Sequence, residues 1–209
     1  KMIQINYGPE WFYLPSLLID FVGFLVLFLI SFYGLKYYKI SNKKNYLHIS
    51  GAFSLLCLSF LFKLLTNATV YYDSLKDNYQ NVVIVGTLEV IRGFNLFSIL
   101  TFSAFVLLHI LGLYFLYNIY NKNQSHSHVF LIVYFILLST YLSNFDYYIF
   151  HLTALFFLGI LSLTYLKHYK KSGHENTRLL YHGFLMLALS QIFFIFLVLN
   201  QYFYVIAEV

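Results

Sequence analysis

Charged residues are scarce in this 209-residue chain. Asp, Glu, Lys and Arg make up 10% of it, whereas a soluble domain carries about 25%. Residues of the hydrophobic set make up 60%, and the mean hydropathy is +0.72. This composition argues against a water-soluble fold, and also against disorder, which needs low hydrophobicity and high net charge. We therefore predict an integral membrane protein whose first partner is the lipid bilayer.

Cysteine and proline are almost absent. The one cysteine, Cys57, excludes an internal disulfide and a cysteine-based zinc site. The two prolines, Pro9 and Pro15, both lie at the entry of the first apolar stretch, so no proline interrupts a predicted span. Transporters usually break helices with Gly or Pro at their binding sites, and this pattern is missing here.

The net charge of +5 lies in short loops and forms no basic face, so no nucleic-acid partner is expected. The chain is rich in Phe, Tyr, Ile, Asn and Lys, including 24 Phe and 21 Tyr, which is typical of an AT-rich genome. We expect a prokaryotic cell membrane rather than an organelle inner membrane.

Six stretches meet or approach the roughly 20 apolar residues that a membrane-crossing helix needs. They predict an all-α polytopic membrane protein, with residues 1–209 forming a single transmembrane helical domain. The fourth stretch is the shortest, and the third helix is expected to start early, within residues 82–96. The predicted spans are residues 14–34, 48–69, 97–116, 129–142, 147–166 and 179–199.

Positive charge in short loops predicts the orientation. Nine of the thirteen Lys and Arg residues fall between spans one and two, three and four, or five and six, which all lie on one side. Both termini are then outside, the basic loops face the cytoplasm or matrix, and the helices form three hairpins. Aromatic residues mark the outer interface. The acids expected on that outer side are Glu10, Asp73, Asp77, Asp146 and Glu208.

An internal repeat is predicted at an offset of 131 residues. Residues 35–41 (LKYYKIS) align without a gap with residues 166–172 (LKHYKKS), and matched polar positions follow, such as Ser59 with Ser190. Leu- and Phe-rich segments always align somewhat, but matched polar positions favour a true repeat. Hairpins related in this way run in the same direction, so the repeat is parallel.

The same segments carry a resemblance. Residues 38–44 (YKISNKK), leading into residues 52–60 (AFSLLCLSF) and echoed by residues 183–190 (GFLMLALS), resemble small multipass archaeal membrane proteins of unknown function. The resemblance covers two of the three hairpins and implies no activity. It also implies a possible further span, of which residues 202–209 resemble the start.

A few polar residues lie inside the predicted spans, where ionisable groups are costly and usually face the bundle interior. By helical rise, Asp20 and Lys63 lie at a similar depth, about 9 Å below the outer surface. We predict an ion pair between them, on a face of the first span that includes Gly23, Ser31 and Gly34. Three interpretations stay open: a salt bridge that fixes the hairpin, a transport or ligand site, or a lysine that snorkels to the interface.

The repeat places His151 at the position of Asp20, and Phe194 at that of Lys63, so the second copy lacks the cation. His151 is either a neutral histidine with an interhelical hydrogen bond or a titrating group in a proton path. The intramembrane polar cluster is predicted to comprise Asp20, Lys63, Asn67, Arg92, His151 and Gln191.

No catalytic, cofactor or metal site is predicted, because no phosphate loop, nucleophile elbow or metal-binding helix motif occurs. The two axial histidines of one haem lie at the same depth in the membrane, but helical rise puts His109 deeper than His151. We therefore do not expect these two histidines to bind a haem. His126 and His128 are expected in a solvated loop without a third ligand. The expected function is therefore a non-catalytic subunit or scaffold of a larger membrane assembly, with other membrane subunits as partners. The alternative is a transporter or sensor with an outer-half polar pocket.

Overall fold

Helices account for all the regular structure that the computed structural model describes, which comprises residues 9–79, 88–120, 126–143 and 147–209. Short 3₁₀ turns precede the first helix and follow the sixth. The predicted all-α class is confirmed. The seven α-helices are α1 (Tyr13–Ser41), α2 (Lys44–Tyr79), α3 (Leu88–Tyr120), α4 (His126–Ser143), α5 (Tyr147–Ser172), α6 (Glu175–Ile195) and α7 (Tyr202–Glu208).

Five of these helices are long and apolar enough to cross a membrane: α1, α2, α3, α5 and α6. In α4 the apolar part is shorter and covers Ile132–Ser143. α2 continues as a helix well past the predicted end at residue 69, and α3 begins early, as expected. His126 and His128 were predicted in a loop, but their backbone belongs to the first turn of α4. The first turn of a helix suits polar residues, because its N–H groups have no partner within the helix.

The protein core lies around α3 and α5. Half of the apolar window of each of these helices is buried, against 17% for α1 and for α6, so α1 and α6 are peripheral. Ile110 of α3 and Leu161 of α5 are fully buried, as is Ile136 of α4. Large side chains on α1 instead face outward, as expected for a helix in contact with lipid. Its aligned rings are Phe21, Phe24, Phe28 and Phe32.

Two short turns join α1 to α2 and α5 to α6. Between α1 and α2, Asn42 takes a left-handed conformation (φ 53°) and its N–H bonds the carbonyl of Tyr38 at 2.8 Å. Between α5 and α6, Gly173 (φ 67°) bonds the carbonyl of Tyr169 at the same distance. Gly and Asn are the residues that adopt this conformation at lowest cost. Each turn therefore reverses the chain within two residues and places its two helices side by side.

Small residues bring α1 close to α2. A Cβ on Gly34 would lie 3.0 Å from the Ser50 Cβ. One turn away, the Ser31 hydroxyl lies 2.6 Å from that of Ser54 and 3.3 Å from that of Ser50. This confirms that the predicted stripe on α1 faces α2, as small residues at a close membrane interface do.

The chain after α6 departs from the prediction. The sixth span was expected to reach residue 199, but α6 ends at Ile195, four residues early. A 3₁₀ turn follows, and α7 then packs beside α6 and the start of α1. Its buried residues Tyr204 and Ala207 share a small core with Phe12, Phe194 and Leu197. The segment that resembles the start of a further span forms α7, which packs against Phe12 and Phe194.

Candidate functional site

Asp20 is the centre of the candidate site. It lies seven residues into α1, about 10 Å along the helix axis, and its side chain is 1% exposed. Lys63 of α2 donates to Asp20 Oδ1 at 2.6 Å, and the Asn67 amide donates to Oδ2 at 2.7 Å. The predicted ion pair is therefore present. Lys63 and Asn67 are four residues apart on one face of α2, which lets both reach the same carboxylate.

A second carboxylate, Glu208 of α7, joins this pair. Lys63 Nζ donates to Glu208 Oε1 at 2.7 Å, and the Tyr204 hydroxyl donates to the same oxygen at 3.2 Å. Ser16 of α1 lies 3.1 Å from that hydroxyl. The Glu208 side chain is 4% exposed, so this acid, predicted on the outer side, is buried among the helices. We call Asp20, Lys63, Asn67, Tyr204 and Glu208 the charge cluster.

The charge cluster has more carboxylate than ammonium. Three of its four carboxylate oxygens accept a hydrogen bond: Asp20 Oδ1 and Oδ2, and Glu208 Oε1. Glu208 Oε2 is buried and has no hydrogen-bond partner among the described residues. Two ionised carboxylates and one ammonium leave one negative charge in a buried site, and such a charge is costly unless something compensates it.

The second copy of the predicted repeat has aromatic contacts in place of the ion pair. His151 Nδ1 lies 2.7 Å from the side-chain oxygen Oε1 of Gln191, and the His151 ring stacks on Phe194 with centroids 4.5 Å apart. Phe194 in turn packs edge-on against Tyr204. The structure thus brings His151 and Gln191 together, and one phenyl ring links them to the charge cluster.

His109 of α3 is half-buried and is surrounded by aromatic rings. Its Nδ1 is 3.4 Å from the Ser59 hydroxyl, and its ring packs against Phe60, Phe105 and Phe150. Phe150 also contacts His151, so the two histidines share a neighbour. In the described part of the chain, no three His, Cys, Asp or Glu side chains are grouped as a metal would need.

One predicted member of the polar cluster, Arg92, and the single cysteine remain to be placed. The Arg92 side chain lies outside the residues whose side chains the structure describes, and only its backbone, in α3, can be placed. Cys57 is buried on α2, with its thiol 3.8 Å from the carbonyl oxygen of Phe24. The arrangement can hold charges and protons, and the phenol of Tyr204 is engaged with Ser16 and Glu208.

Sequence reasoning missed Glu208 and Tyr204. A signal for them was available, because the two residues are four apart in an otherwise apolar segment and would share one face of a helix. The segment was read as an interfacial belt or as the start of a span, so its polar face was given no partner. The turn that folds α7 back is what brings this face to Lys63.

Comparisons with family models, curated proteins and solved structures gave no match. The function is therefore argued from the residues alone.

Proposed function

We propose that this chain is a non-catalytic multipass subunit or scaffold of a larger membrane assembly. The observation that carries the proposal is the closed geometry of the charge cluster. Asp20 has both oxygens engaged by side chains of α2, and it is 1% exposed. A substrate site needs polar groups that are free to exchange partners, whereas here polar groups from three helices are bonded to one another.

The same proposal includes six spans, which are the five long apolar helices and α4. Its 18 residues would extend about 27 Å, close to the roughly 30 Å hydrocarbon thickness. Both termini lie outside and the basic turns lie in the cytoplasm, as expected for a prokaryotic cell membrane. The helices then form three hairpins, and neither a cofactor nor a nucleic acid is part of the function.

The parallel repeat is also part of the proposal, and several local contacts support it. Each of the following hydrogen bonds of the first hairpin has a counterpart 131 residues later in the second. In the turns, the bond from Asn42 N–H to Tyr38 O matches that from Gly173 N–H to Tyr169 O, and the bond from Tyr46 N–H to Lys43 O matches that from Thr177 N–H to His174 O. The bond from Lys43 N–H to Ser41 Oγ matches that from His174 N–H to Ser172 Oγ. Within the second helix of each hairpin, the bond from Ser59 Oγ to Leu56 O matches that from Ser190 Oγ to Leu187 O.

This repeat gives the scaffold proposal a physical basis. Two similar hairpins would pack on the central helix α3, and their polar positions have diverged into an ion pair in one and a histidine–phenylalanine stack in the other. The ion pair and the ring stack each connect two helices at equivalent positions of the repeat. Contacts of this kind specify how helices assemble.

The test is purification of the tagged chain from its native membrane in a mild detergent. We expect other membrane proteins to co-purify in fixed stoichiometry, and to be lost when Lys63→Met disrupts the bundle. Glu175→Gln is the matched control, because Glu175 is 72% exposed on the opposite side and its loss should not change co-purification. A chain that purifies alone and moves a solute across reconstituted vesicles would overturn the proposal.

One observation favours a second candidate, a transporter or membrane-embedded sensor with an outer-half polar site. The charge cluster has one carboxylate more than the described cations balance. A structural salt bridge between Asp20 and Lys63 does not require the carboxylate of Glu208.

A further inference from the structure

We propose that α1 carries a binding site for one anionic phospholipid of the surrounding bilayer, in which the acyl chains lie along a row of phenyl rings and the phosphate lies at the two lysines beyond them. This inference goes beyond the scaffold function and does not depend on it. It rests on the order of residues along one face of α1, on their exposure, and on a matched segment of α5. The residues of this Phe–Lys row are Phe21, Phe24, Phe28, Phe32, Lys36 and Lys39.

The four rings form a continuous apolar surface on the outside of α1. The centroids of consecutive rings lie 6.4–6.5 Å apart, and the ring planes are within 20–25° of parallel. Phe21, Phe28 and Phe32 are each about half exposed. The contact with α2 uses another face of α1, which contains Ser31 and Gly34. The exposed faces of the rings are therefore turned away from α2.

The row continues into two lysines. Lys36 follows Phe32 by four residues and Lys39 follows it by seven. At 3.6 residues per turn, these spacings put both lysines on the face that carries the rings. Both lysine side chains are exposed. One face of α1 thus presents apolar surface and then positive charge, in the order in which a phospholipid presents its acyl chains and its phosphate.

The charge around the two lysines is predominantly positive. Residues 35–48, which include the turn after α1, contain four lysines and no Asp or Glu. α3 ends on the same side of the bundle, because its second half packs on the first half of α2, and residues 121–125 beyond it add one lysine and no acid. The acid of the other basic turn, Glu175, is paired with Arg178. This end of the row therefore favours an anion.

The length of the row matches one leaflet of a bilayer. Phe21 and Phe32 are eleven residues apart, which is about 17 Å by helical rise, and half of a hydrocarbon core of roughly 30 Å is about 15 Å. Tyr37 lies between the two lysines in the sequence, and its ring stacks on Tyr46 of α2 with centroids 6.0 Å apart. Tyrosine is enriched at the membrane–water interface, which is the level of a phospholipid phosphate.

α5 provides a comparison within the same chain. At an offset of 131 residues, Lys167 and Lys170 occupy the positions of Lys36 and Lys39, and both are exposed. No phenyl ring occurs at the equivalent positions of α5, which are Leu152, Leu155, Gly159 and Leu163. α5 therefore has the two lysines without the rings, and it supplies a control with equal charge.

A phospholipid accounts for the whole row, whereas a soluble anion accounts for its lysines alone. The ammonium groups are point charges that suit a phosphate, and basic residues beside a membrane-crossing helix attract anionic lipids. Inorganic phosphate would leave the exposed rings without a role. The rings and lysines together therefore assign the site to a lipid with a negative headgroup.

Native mass spectrometry of the full chain in a mild detergent tests the headgroup, with phosphatidylglycerol compared with phosphatidylcholine of the same acyl chains. We expect one phosphatidylglycerol per chain to bind more tightly than phosphatidylcholine. Lys36→Gln with Lys39→Gln should weaken this binding about 25-fold, because each basic residue near an anionic lipid contributes about fivefold. The control, Lys167→Gln with Lys170→Gln, removes the same charge and should leave the affinity unchanged. Equal effects of the two variants would overturn the proposal.

Alanine substitution of two rings tests the acyl chains. Phe28→Ala with Phe32→Ala should weaken phosphatidylglycerol binding, whereas Leu152→Ala with Leu163→Ala should not. All four side chains are exposed, so we expect the fold to be kept. Unchanged affinity in the ring variant would refute the site, and so would displacement of the lipid by an equal concentration of inorganic phosphate.

A photo-crosslinker in place of Phe32 tests the occupant in the native membrane. We expect it to capture phospholipid, and capture of a partner protein without lipid would overturn the proposal. The affinities are measured on the isolated chain, so their failure is distinct from failure of the scaffold proposal.

Discussion

Removing Lys63 should destabilise the protein far more than removing Asp20, although the two residues form one ion pair. Lys63 is bonded to two carboxylates, so Lys63→Met leaves Asp20 and Glu208 without their shared cation. Asp20→Asn instead leaves Lys63 paired with Glu208, and the cluster can be neutral without further change. The asymmetry follows from the second carboxylate and is absent from a simple two-residue pair.

The magnitude can be worked from the geometry. Two unit charges 2.6 Å apart attract by about 6 kcal/mol at an effective dielectric constant of about 20, and desolvation offsets much of this. Leaving a buried charge uncompensated costs about 3–5 kcal/mol, which we expect for Lys63→Met. Asp20→Asn keeps the shape and loses bonds to a charged acceptor, for about 1.5–3 kcal/mol. The double variant leaves one carboxylate without a cation where Lys63→Met leaves two, so it should cost less than the sum of the single variants.

Reversible unfolding of the purified chain in a detergent titration measures these free energies, and the two single variants with the double variant complete a thermodynamic cycle. The stability of Glu175→Gln should equal that of the wild type, because Glu175 is exposed. Equal costs for Lys63→Met and Asp20→Asn would show that Glu208 does not share the ammonium. Additive costs would show that Asp20 and Lys63 do not interact.

Three further predictions follow from topology and packing. In a Cys57→Ala background, cysteines introduced at Ser41 and Ser172 should react with a thiol reagent from the cytoplasmic face only. A cysteine at Asp77 should react from the outside only. Reaction of all three from one face would contradict the six-span topology. His151→Gln should keep co-purification of partners and growth of a dependent strain, because it gives up interhelical bonds of about 0.6 kcal/mol each; intact assembly with lost growth would favour the sensor or transporter. Gly112→Ala should lower the free energy of unfolding by about 1–3 kcal/mol, because the added Cβ would lie 2.7 Å from Leu56 Cγ and 3.2 Å from the Ala52 carbonyl oxygen. Gly159→Ala is the control, because a Cβ there meets nothing within 4 Å. It should not lower the free energy of unfolding in the same assay.

The pairing of Asp20 with Lys63 was predictable because hydropathy and helical rise decide it. A short basic loop makes neighbours of the two helices, and equal depth then brings the side chains together. The small-residue stripe on α1 followed from the same reasoning. These features depend on local periodicity and on a hairpin whose turn is only two residues long.

The position of Glu208 was not predictable on those grounds. Two polar residues, Asn200 and Gln201, interrupt the hydropathy after Leu199, but such a break does not show where the following segment packs. The reversal depends on packing of Tyr204 against Phe194 and Phe12. Phe12 and Tyr204 are nearly 200 positions apart in the sequence. Contacts of that range depend on the assembled bundle rather than on any one segment.

The order in which the charges occur along the chain bears on biosynthesis. Asp20 and Lys63 lie on α1 and α2, which are made before α7, where Glu208 lies. Each charge alone would oppose membrane insertion by about 2.5–3.5 kcal/mol at a helix centre. Paired within one hairpin, the two enter the bilayer as a neutral unit before the third group exists. The arrival of α7 at Lys63 is then the step that completes the charge cluster.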